Sequence, residues 1–232
     1  MTGNFANSIA GNTKPRLPFS PWLQRICPSP RRYVQQLILS HNLRTGLDMG
    51  CGTNSLLSPL RSSSFRSAGL DAFSDAIEKS RRLNLHDEYI HADLRSYTFD
   101  RKFDVVVACN VIEHLTREEA MGFLQKMEFL AERIVYLEVP YGFLEQTAFD
   151  GNPHQRHFSG WFPHDFVGRG YTVFGMGLRG LRGVQGGSRF LPEPIVRTID
   201  RSLAWLVFRR PYLAFYFAAI KYIDENGDIR MV

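Results

Sequence analysis

The chain has 232 residues, of which 44% are hydrophobic, and this is enough to bury the core of one α/β domain. Its formal net charge of +5 is spread along the chain without a block of like charges, which indicates a mildly basic surface and weighs against a nucleic-acid partner. The three cysteines stand far apart and form no CxxC pair, so we expect neither a disulfide framework nor a zinc knuckle, and we expect a cytoplasmic protein. The N-terminus lacks the layout of a signal peptide, and the stretch nearest to membrane-spanning length, residues 203–220, is interrupted by Arg209, Arg210 and Pro211, so no transmembrane segment is expected.

The beginning of the chain is rich in glycine, asparagine, serine and proline, a composition that is typical of irregular structure. We therefore expect an irregular lead-in over residues 1–30, followed by a single domain over residues 31–232. A first helix is predicted over residues 31–40, because apolar side chains there follow the helical period. These side chains are Tyr33, Val34, Leu37 and Ile38.

A glycine-containing loop follows the first predicted strand and reads Asp48-Met49-Gly50-Cys51-Gly52-Thr53-Asn54. Gly50 and Gly52 let the backbone turn sharply and keep side chains away from a ligand, and the N–H groups beyond them are free to bind it. The charge of Asp48 suits a ligand with a positive amino group and opposes a pyrophosphate, which weighs against a dinucleotide. After the loop, a crossover helix is predicted to begin over residues 55–60, where Pro59 must bend it or cut it short.

This loop resembles the first motif of the class I S-adenosylmethionine (SAM)-dependent methyltransferases, which reads acid-x-Gly-x-Gly-x-Gly. Asn54 stands where the third glycine is usual, and asparagine is the non-glycine residue that most readily adopts the left-handed conformation. The resemblance covers residues 40–175 by motif and implies an α/β fold, namely a doubly wound, seven-stranded, mostly parallel sheet of Rossmann-like type with helices on both faces and an antiparallel last strand. It also implies SAM as the cofactor, bound in part by Asp48, Gly50 and Gly52.

An acid closes the next predicted strand, at residues 67–70. This acid, Asp71, lies about twenty residues beyond the glycine turn, where adenosine-binding α/β folds place the carboxylate that accepts both ribose hydroxyls. Its alternative role is to cap the helix predicted over residues 74–83, but Ser74 or Asp75 can fill that role. We therefore interpret Asp71 as the ribose ligand.

Two more strand ends complete the predicted cofactor site. Asp93 and Leu94 close a strand at residues 88–94, and the resemblance implies that Asp93 accepts a hydrogen bond from the adenine amino group while the backbone N–H of Leu94 faces the neighbouring ring nitrogen. The apolar, β-branched run 103–109 predicts a central parallel strand. After it, the resemblance implies that Asn110 contacts the methionine part of SAM, chiefly through its backbone carbonyl.

His114 is the titratable group expected beside the methyl group of SAM. A histidine at this position could take a proton from an attacking hydroxyl or amine. The alternative is that Glu113 and His114 cap and pack the helix predicted over residues 117–130. A metal role is not expected for this pair, because the Glu-x-x-Glu-His spacing of metal-using family members would require an acid where Asn110 stands.

A long polar and aromatic stretch, residues 141–158, follows the strand predicted at residues 133–139. We interpret it as the substrate lid, because the loops after strands 4 and 5 overhang the reactive end of the cofactor in such sheets. Within the lid, His157 is expected to act as a base or to contact the substrate. His154 and His157 have no cysteine or acid near them in the sequence, so no metal ligands are predicted.

The segment 176–210 is expected to form a glycine- and arginine-rich connector and an amphipathic helix over residues 194–208, inserted between a strand at 171–175 and the last strand at 212–222. The arginines of the connector favour either solvent or an anionic group, such as a phosphate on a sugar or lipid. The aromatic and basic end of the helix is compatible with docking on the fold or with weak peripheral contact with a membrane.

The function that the resemblance implies is transfer of a methyl group from SAM to an oxygen or nitrogen, rather than a carbon, of an acceptor. The Asn-Pro-Pro-Tyr-type signature of amino-group methylation on bases or glutamine is absent after the fourth strand, so we expect a small molecule or a glycan- or lipid-linked intermediate. Two alternatives stay open: a methyltransferase-like module that binds SAM or a partner without catalysis, and a nicotinamide-dependent oxidoreductase. The second is weakened by Asp48 and by Ser55, which stands where a GxGxxG/A fingerprint has glycine or alanine.

Overall fold

The computed structural model describes residues 28–148, 151–182 and 187–223. Most of the predicted lead-in lies outside these residues. The described helices are α1 (Pro30–Ser40), α2 (Ser74–Arg82), α3 (Arg117–Leu130), α4 (Pro163–Val167) and α5 (Glu193–Arg209). The strands are β1 (Thr45–Met49), β2 (Arg66–Asp71), β3 (Glu88–His91), β4 (Phe103–Cys109), β5 (Ala131–Pro140), β6 (Thr172–Leu178) and β7 (Ala214–Tyr222).

The strands form one seven-stranded sheet in the order β3-β2-β1-β4-β5-β7-β6. The pairs β1/β2, β2/β3, β1/β4 and β4/β5 are parallel, and β7 runs antiparallel to both β5 and β6. The predicted doubly wound sheet with an antiparallel last strand is therefore confirmed. The chain moves outwards from β1 to β3 and then returns to β4 beside β1, which creates a topological switch point at the carboxyl ends of these strands.

The core consists of one apolar layer on each face of the sheet, and β4 shows why. Its successive side chains alternate between the layers: Val106 belongs to the layer that includes residues of α3, and Val105 and Val107 belong to the layer that includes residues of α1. From Val105 to Ala108 every side chain is buried, because this part of the strand is covered on both faces, and its sequence is a continuous apolar run. This is the reason that the bounds of β4 were predictable from the sequence.

Three predicted segments differ in the structure. The strand predicted over residues 88–94 ends at His91, so Asp93 and Leu94 lie in the turn that follows it. The crossover helix predicted to begin over residues 55–60 is wrong: the chain forms only a 3₁₀ turn, Ser58–Leu60, because Pro59 lacks an N–H and prevents a longer helix. The connector predicted to begin at residue 176 starts later, since β6 continues to Leu178 through its pairing with β7. Among the described residues, no helix combines the length and the apolarity needed to cross a bilayer.

Candidate cofactor and acceptor site

A cavity of about 280 Å³ lies at the carboxyl ends of β1 to β4, at the switch point of the sheet. It is lined by residues that follow four different strands, and the rest of its wall comes from the predicted lid. Six of the nine predicted site residues lie on this wall: Gly50, Asp71, Asp93, Leu94, Asn110 and His114.

The glycine loop after β1 requires glycine at two positions. Gly50 and Gly52 have φ angles of +78° and +48°, and a Cβ on Gly50 would lie 2.5 Å from a methyl group of Val111. The loop is held to β2 because the backbone N–H of Gly50 donates to the carbonyl of Leu70 at 2.7 Å. Asn54 does not have a positive φ, so it does not replace a third glycine in the left-handed conformation. Asn110 does, with φ +55°, at the point where the chain leaves β4.

The carboxylate of Asp71 anchors the loop as well as facing the cavity. One of its oxygens accepts from the N–H of Gly52 at 3.0 Å, and the other accepts from the N–H of Phe73 at 2.9 Å. Phe73 is the N-cap residue of α2, and no side chain caps this helix. Each carboxylate oxygen can accept a second bond, so the group is positioned for a hydroxyl donor in the cavity.

Asp48 lies behind the glycine loop and not on the cavity wall. It is 2% exposed, and the hydroxyl of Ser55 donates to its carboxylate at 2.6 Å. Burial raises the pKa of Asp48 to about 7. The expected interaction of Asp48 with a positive ligand group would therefore act through the loop and not by contact across the cavity.

Asp93 is held by a neighbour, Arg95, that is not among the predicted site residues. Arg95 hydrogen-bonds both carboxylate oxygens of Asp93, at 2.6 to 3.0 Å, and also bonds Glu119 at 3.0 Å. This guanidinium lowers the pKa of Asp93. The carbonyl of Leu94 accepts from the ammonium group of Lys126 at 2.7 Å. The position of Arg95, two residues after the strand-end acid, was the available sequence signal.

The predicted lid folds back over the cavity, and its residues Asn152 to Gln155 and Phe158 form part of the wall. It is fastened near the turn after β4, because the N–H groups of Phe158 and Ser159 donate to the carbonyl of Glu113 at 2.8 and 3.2 Å. This brings His157 beside His114, with 4.8 Å between the ring centroids. His157 itself does not line the cavity.

Both histidine rings are oriented by backbone carbonyls. Nδ1 of His114 lies 3.1 Å from the carbonyl of Arg156, and Nδ1 of His157 lies 2.7 Å from the carbonyl of Leu144. Burial lowers the pKa of His114 to about 4 and also lowers the pKa of His157. Both rings are therefore neutral at pH 7.

Glu113, which was not among the predicted site residues, lies next to these rings. Its side chain is buried, its Oε2 has no hydrogen-bond partner, and burial raises its pKa to about 8. One ligand atom each of Glu113, His114 and His157 lies within 4.8 Å of the others. The sequence signal was weak, since an acid before a helix is usually read as a residue of the helix terminus.

A second cavity, of about 500 Å³, shares the lining residue Asn110 with the first. Across its wall, Arg31 of α1 donates two hydrogen bonds of 2.7 Å to the buried carboxylate of Glu138 on β5. On another side, Nε of Arg182 donates to Asp200 of α5 at 3.0 Å. The sequence did not predict this cavity, although Glu138, an acid within the otherwise apolar stretch 134–139 of β5, was the available signal.

Comparisons with known proteins agree on the class of this domain. Residues 47–131 match a family described as a methyltransferase domain. The chain is 29% identical over 102 residues to a ubiquinone biosynthesis O-methyltransferase of Rickettsia akari (strain Hartford), and 29% identical over 101 residues to one of Rickettsia felis (strain ATCC VR-1525 / URRWXCal2). Each match covers 40% of this chain and 41% of the relative, so the chain spans about two fifths of the length of these curated relatives.

Solved structures match over more of the chain at lower identity. The plantazolicin methyltransferase BpumL in complex with S-adenosylhomocysteine (SAH) has a TM-score of 0.52 and 15% identity, covering 88% of this chain and 84% of that chain. The SAH-bound magnesium protoporphyrin IX methyltransferase of Synechocystis PCC 6803 has a TM-score of 0.51 and 17% identity, covering 82% and 80%. At such identities the likeness shows a shared fold.

Proposed function

Since this chain carries a class I SAM-dependent methyltransferase domain, we propose that it transfers a methyl group from SAM to an oxygen or nitrogen of an acceptor molecule. The observation that carries this proposal is the convergence of Gly50, Asp71, Asp93 and Asn110 on one cavity at the switch point of the sheet. The relatives and structures reported above are all methyltransferases, which gives no support to a nicotinamide-dependent oxidoreductase or to a module without catalysis.

The proposed seat of the cofactor follows the order of the strands. The ribose would donate its hydroxyls to Asp71, the adenine would lie against Asp93 and Leu94, and the methionine part would pass the glycine loop towards Asn110. The carboxylates of Asp71 and Asp93 support this arrangement, because hydrogen bonds from Gly52 and Arg95 fix their positions before the ligand arrives. Asp48 would support the loop from behind.

The chemistry is an in-line displacement at carbon. The acceptor oxygen or nitrogen forms a bond to the methyl carbon, the bond from that carbon to the sulfonium sulfur breaks, SAH leaves, and the acceptor loses a proton. Because the sulfonium is already activated, the main task of the protein is orientation. His114 lines the cavity and the ring of His157 packs against the ring of His114, which supports a role for this pair at the acceptor proton.

We assign the acceptor to the second cavity, which shares Asn110 with the first, and its reacting atom would extend past Asn110 towards His114 on the wall of the first cavity. Its wall carries the Arg31/Glu138 and Arg182/Asp200 pairs, which suit an acceptor with polar or anionic groups. The names of two methyltransferases above, for ubiquinone biosynthesis and for plantazolicin, support a small-molecule acceptor. The cytoplasmic location stays a prediction.

A lipid-linked acceptor is supported by the helix that borders this cavity. α5 contributes Asp200 to the wall, while its outer side exposes Trp205 and Leu206 beside Arg209 and Arg210. Apolar side chains next to cations are typical of a helix that lies at an anionic membrane surface. A site open beside such a helix could receive an acceptor that stays in the bilayer.

The first experiment is calorimetric titration of the full chain with SAH and, in parallel, with NADH. We expect saturable binding of SAH and none of NADH. Asp71→Asn removes the charge of the ribose ligand, so SAH affinity should fall by about 10- to 100-fold, the cost of losing charge-assisted hydrogen bonds. Asp75→Asn, which changes an exposed acid on α2, is the matched control and should bind SAH like the wild type. Binding of NADH instead of SAH would overturn the proposed function, and an unchanged affinity of Asp71→Asn would overturn the ribose assignment.

A further inference from the structure

The charged side chains on the wall of the second cavity balance one another. Arg31 forms an ion pair with Glu138, and Arg182 forms one with Asp200. Because two positive and two negative side chains line the cavity, the formal charge of its wall is zero within the described part of the chain. The other lining residues carry no charge: they are Asn110, Met176, Gly177, Phe215 and Tyr216.

The Arg31/Glu138 pair is firmly fixed. Nε and Nη2 of Arg31 donate to the two different oxygens of Glu138, each at 2.7 Å, so the guanidinium meets the carboxylate edge to edge. Glu138 is only 4% exposed, and the hydroxyl of the buried Tyr136 also donates to its carboxylate, at 2.6 Å. Removing either partner would leave the other charge unbalanced in a buried place, which is costly.

The pair lies beside the residue that the two cavities share. The backbone N–H of Asn110 donates to the backbone carbonyl of Glu138 at 2.9 Å, and Asn110 lines both cavities. An acceptor that reaches past Asn110 towards the methyl group of SAM would therefore leave its remaining part beside Arg31 and Glu138.

This wall disfavours a charged acceptor group. A carboxylate or phosphate beside Arg31 would meet a guanidinium whose charge is already balanced, and the like charge of Glu138 would repel it. At the other pair, the carboxylate of Glu193 lies 3.6 Å from the guanidinium of Arg182, so that side offers no surplus positive charge either. A cationic group would be repelled by the guanidinium groups, whose carboxylates are already bonded.

An uncharged oxygen avoids both penalties and still finds a hydrogen-bond donor. The pairing with Glu138 uses Nε and Nη2 of Arg31, and Nη1 has no hydrogen-bond partner among the residues that the structure describes. A guanidinium nitrogen can only donate, so Nη1 suits a carbonyl or hydroxyl oxygen.

We propose that the ion pair of Arg31 and Glu138 selects an acceptor with an apolar body whose polar group at this pair is uncharged, such as a carbonyl, an amide or a hydroxyl. Nη1 of Arg31 would donate to the oxygen, while Glu138 positions the guanidinium and balances its charge. Met176 and Phe215 would contact the apolar body. This inference narrows the acceptor from polar or anionic to polar and uncharged, and it rests on the proposed assignment of the acceptor to the second cavity.

The test compares three probes that have one shape and different charges, namely benzoate, benzamide and benzamidinium. Each is titrated at neutral pH into the full-length protein saturated with SAH, so that the first cavity is occupied, and binding is followed by ligand-detected NMR. Benzamide should bind about 10-fold more tightly than either charged probe, or better, because each charged probe places like charges side by side.

Two substitutions should shift this preference in opposite directions. Glu138→Gln leaves the charge of Arg31 unbalanced, so benzoate should gain about 10- to 100-fold in affinity, as expected for charge-assisted hydrogen bonds. Arg31→Gln leaves the charge of Glu138 unbalanced, so benzamidinium should gain affinity instead. The double variant Arg31→Gln/Glu138→Gln removes both charges and should keep the preference for benzamide.

The matched control is Glu132→Gln, which neutralises an exposed acid of the same strand and should leave all three affinities unchanged. The proposal is overturned if the wild type binds benzoate as tightly as benzamide, if it does not bind benzamide, or if the single variants do not shift the preference in opposite directions. If Glu138→Gln does not fold, Arg31→Gln, a change in a partly exposed residue, and the double variant decide the matter.

Titration with SAH alone separates this inference from the proposed function. A protein that binds SAH without preferring benzamide overturns only the selection by charge. A protein that does not bind SAH overturns the proposed cofactor, and the same probe titrations without SAH then test the charge preference of the second cavity.

Discussion

The carboxyl group of Asp48 shows how one residue couples the glycine loop to the stability of the fold. It lies beneath the loop at 2% exposure, with the hydroxyl of Ser55 as its hydrogen-bond donor. Nε2 of His86, which lies 3.7 Å away, is too distant for a hydrogen bond. Burial without a paired cation favours the neutral acid, which is why the pKa of Asp48 rises.

We predict that Asp48 makes folding less favourable as the pH rises from about 4 to 7. The pKa of Asp48 is about 7 in the folded chain against an ordinary 3.8. Between these values the folded state therefore holds a proton that the unfolded state has lost, and stability decreases with pH. The full loss is roughly 4 kcal/mol and is complete above pH 7. Asp48→Asn keeps the shape and removes the titration, so urea unfolding at pH 5 and pH 8 should show a smaller decrease for the variant. If the free energy of unfolding decreased equally between pH 5 and pH 8 for the wild type and for Asp48→Asn, the prediction would be contradicted.

At the scale of elements, the contact between β6 and α5 depends on a missing side chain. Gly175 of β6 lies so close to α5 that a Cβ would be 2.2 Å from the carbonyl oxygen of Val207 and 2.9 Å from Cβ of Ala214. Val196 and Val207 are the buried residues of α5, so the helix docks through a narrow stripe. The sequence left two alternatives for this helix, docking on the fold or contact with a membrane, and the structure shows α5 docked on the sheet. This docking leaves the outer face of α5 uncovered.

We predict that Gly175→Ala destabilises the protein by about 1 to 3 kcal/mol, the usual cost of forcing an extra group into a packed contact. The matched control is Gly122→Ala in α3, where a Cβ would meet nothing within 4 Å. This substitution should instead stabilise the protein by about 0.5 to 1 kcal/mol, because alanine loses less conformational freedom than glycine in a helix. Urea unfolding of both variants measures the difference. If Gly175→Ala is as stable as Gly122→Ala, the close packing of α5 is not required.

At the scale of the whole molecule, the side that carries α5 combines exposed apolar side chains with arginines. The exposed apolar residues there lie on α5 and on the turn that follows it, beside Arg209 and Arg210: they are Ile195, Trp205, Leu206, Tyr212 and Leu213. The guanidinium of Arg209 lies over the ring of Trp205 at 4.8 Å. Because α5 also lines the second cavity through Asp200, a membrane contact here would bring that cavity close to a lipid-linked acceptor.

We predict that the protein sediments with vesicles of phosphatidylcholine and phosphatidylserine more than with vesicles of phosphatidylcholine alone. High salt should weaken this binding, because at 1 M salt charges are screened beyond about 3 Å. Trp205→Ser should weaken it further by removing an apolar contact. Phe129→Ser is the matched control, since Phe129 is an exposed aromatic residue of α3 under the ammonium group of Lys102. Equal effects of the two substitutions would show that α5 is not the contact surface.

Some parts of this protein were determined by local sequence. The bounds of β4 and α3 were predicted to the residue. β4 is marked by a run of apolar residues, and α3 by apolar residues at helical spacing after a good N-cap, and both patterns are set by residues close together in the chain. The order of Asp71, Asp93 and Asn110 along the chain placed them on one cavity, because parallel strands end at the same edge of a sheet.

The tertiary structure decided what depends on distant residues. Glu113 and His157 are far apart in the chain and meet only because the lid folds back, and Arg31 reaches Glu138 across 107 positions. The burial of Asp48 and the extension of β6 to Leu178 likewise depend on neighbours from other elements. The sequence by itself determined the existence and order of the strands, the glycine loop and the acids that follow the strands, because these follow from periodicity and turn chemistry. Only the folded chain determined which polar groups are enclosed together, because burial and ligand distances are properties of packing between elements.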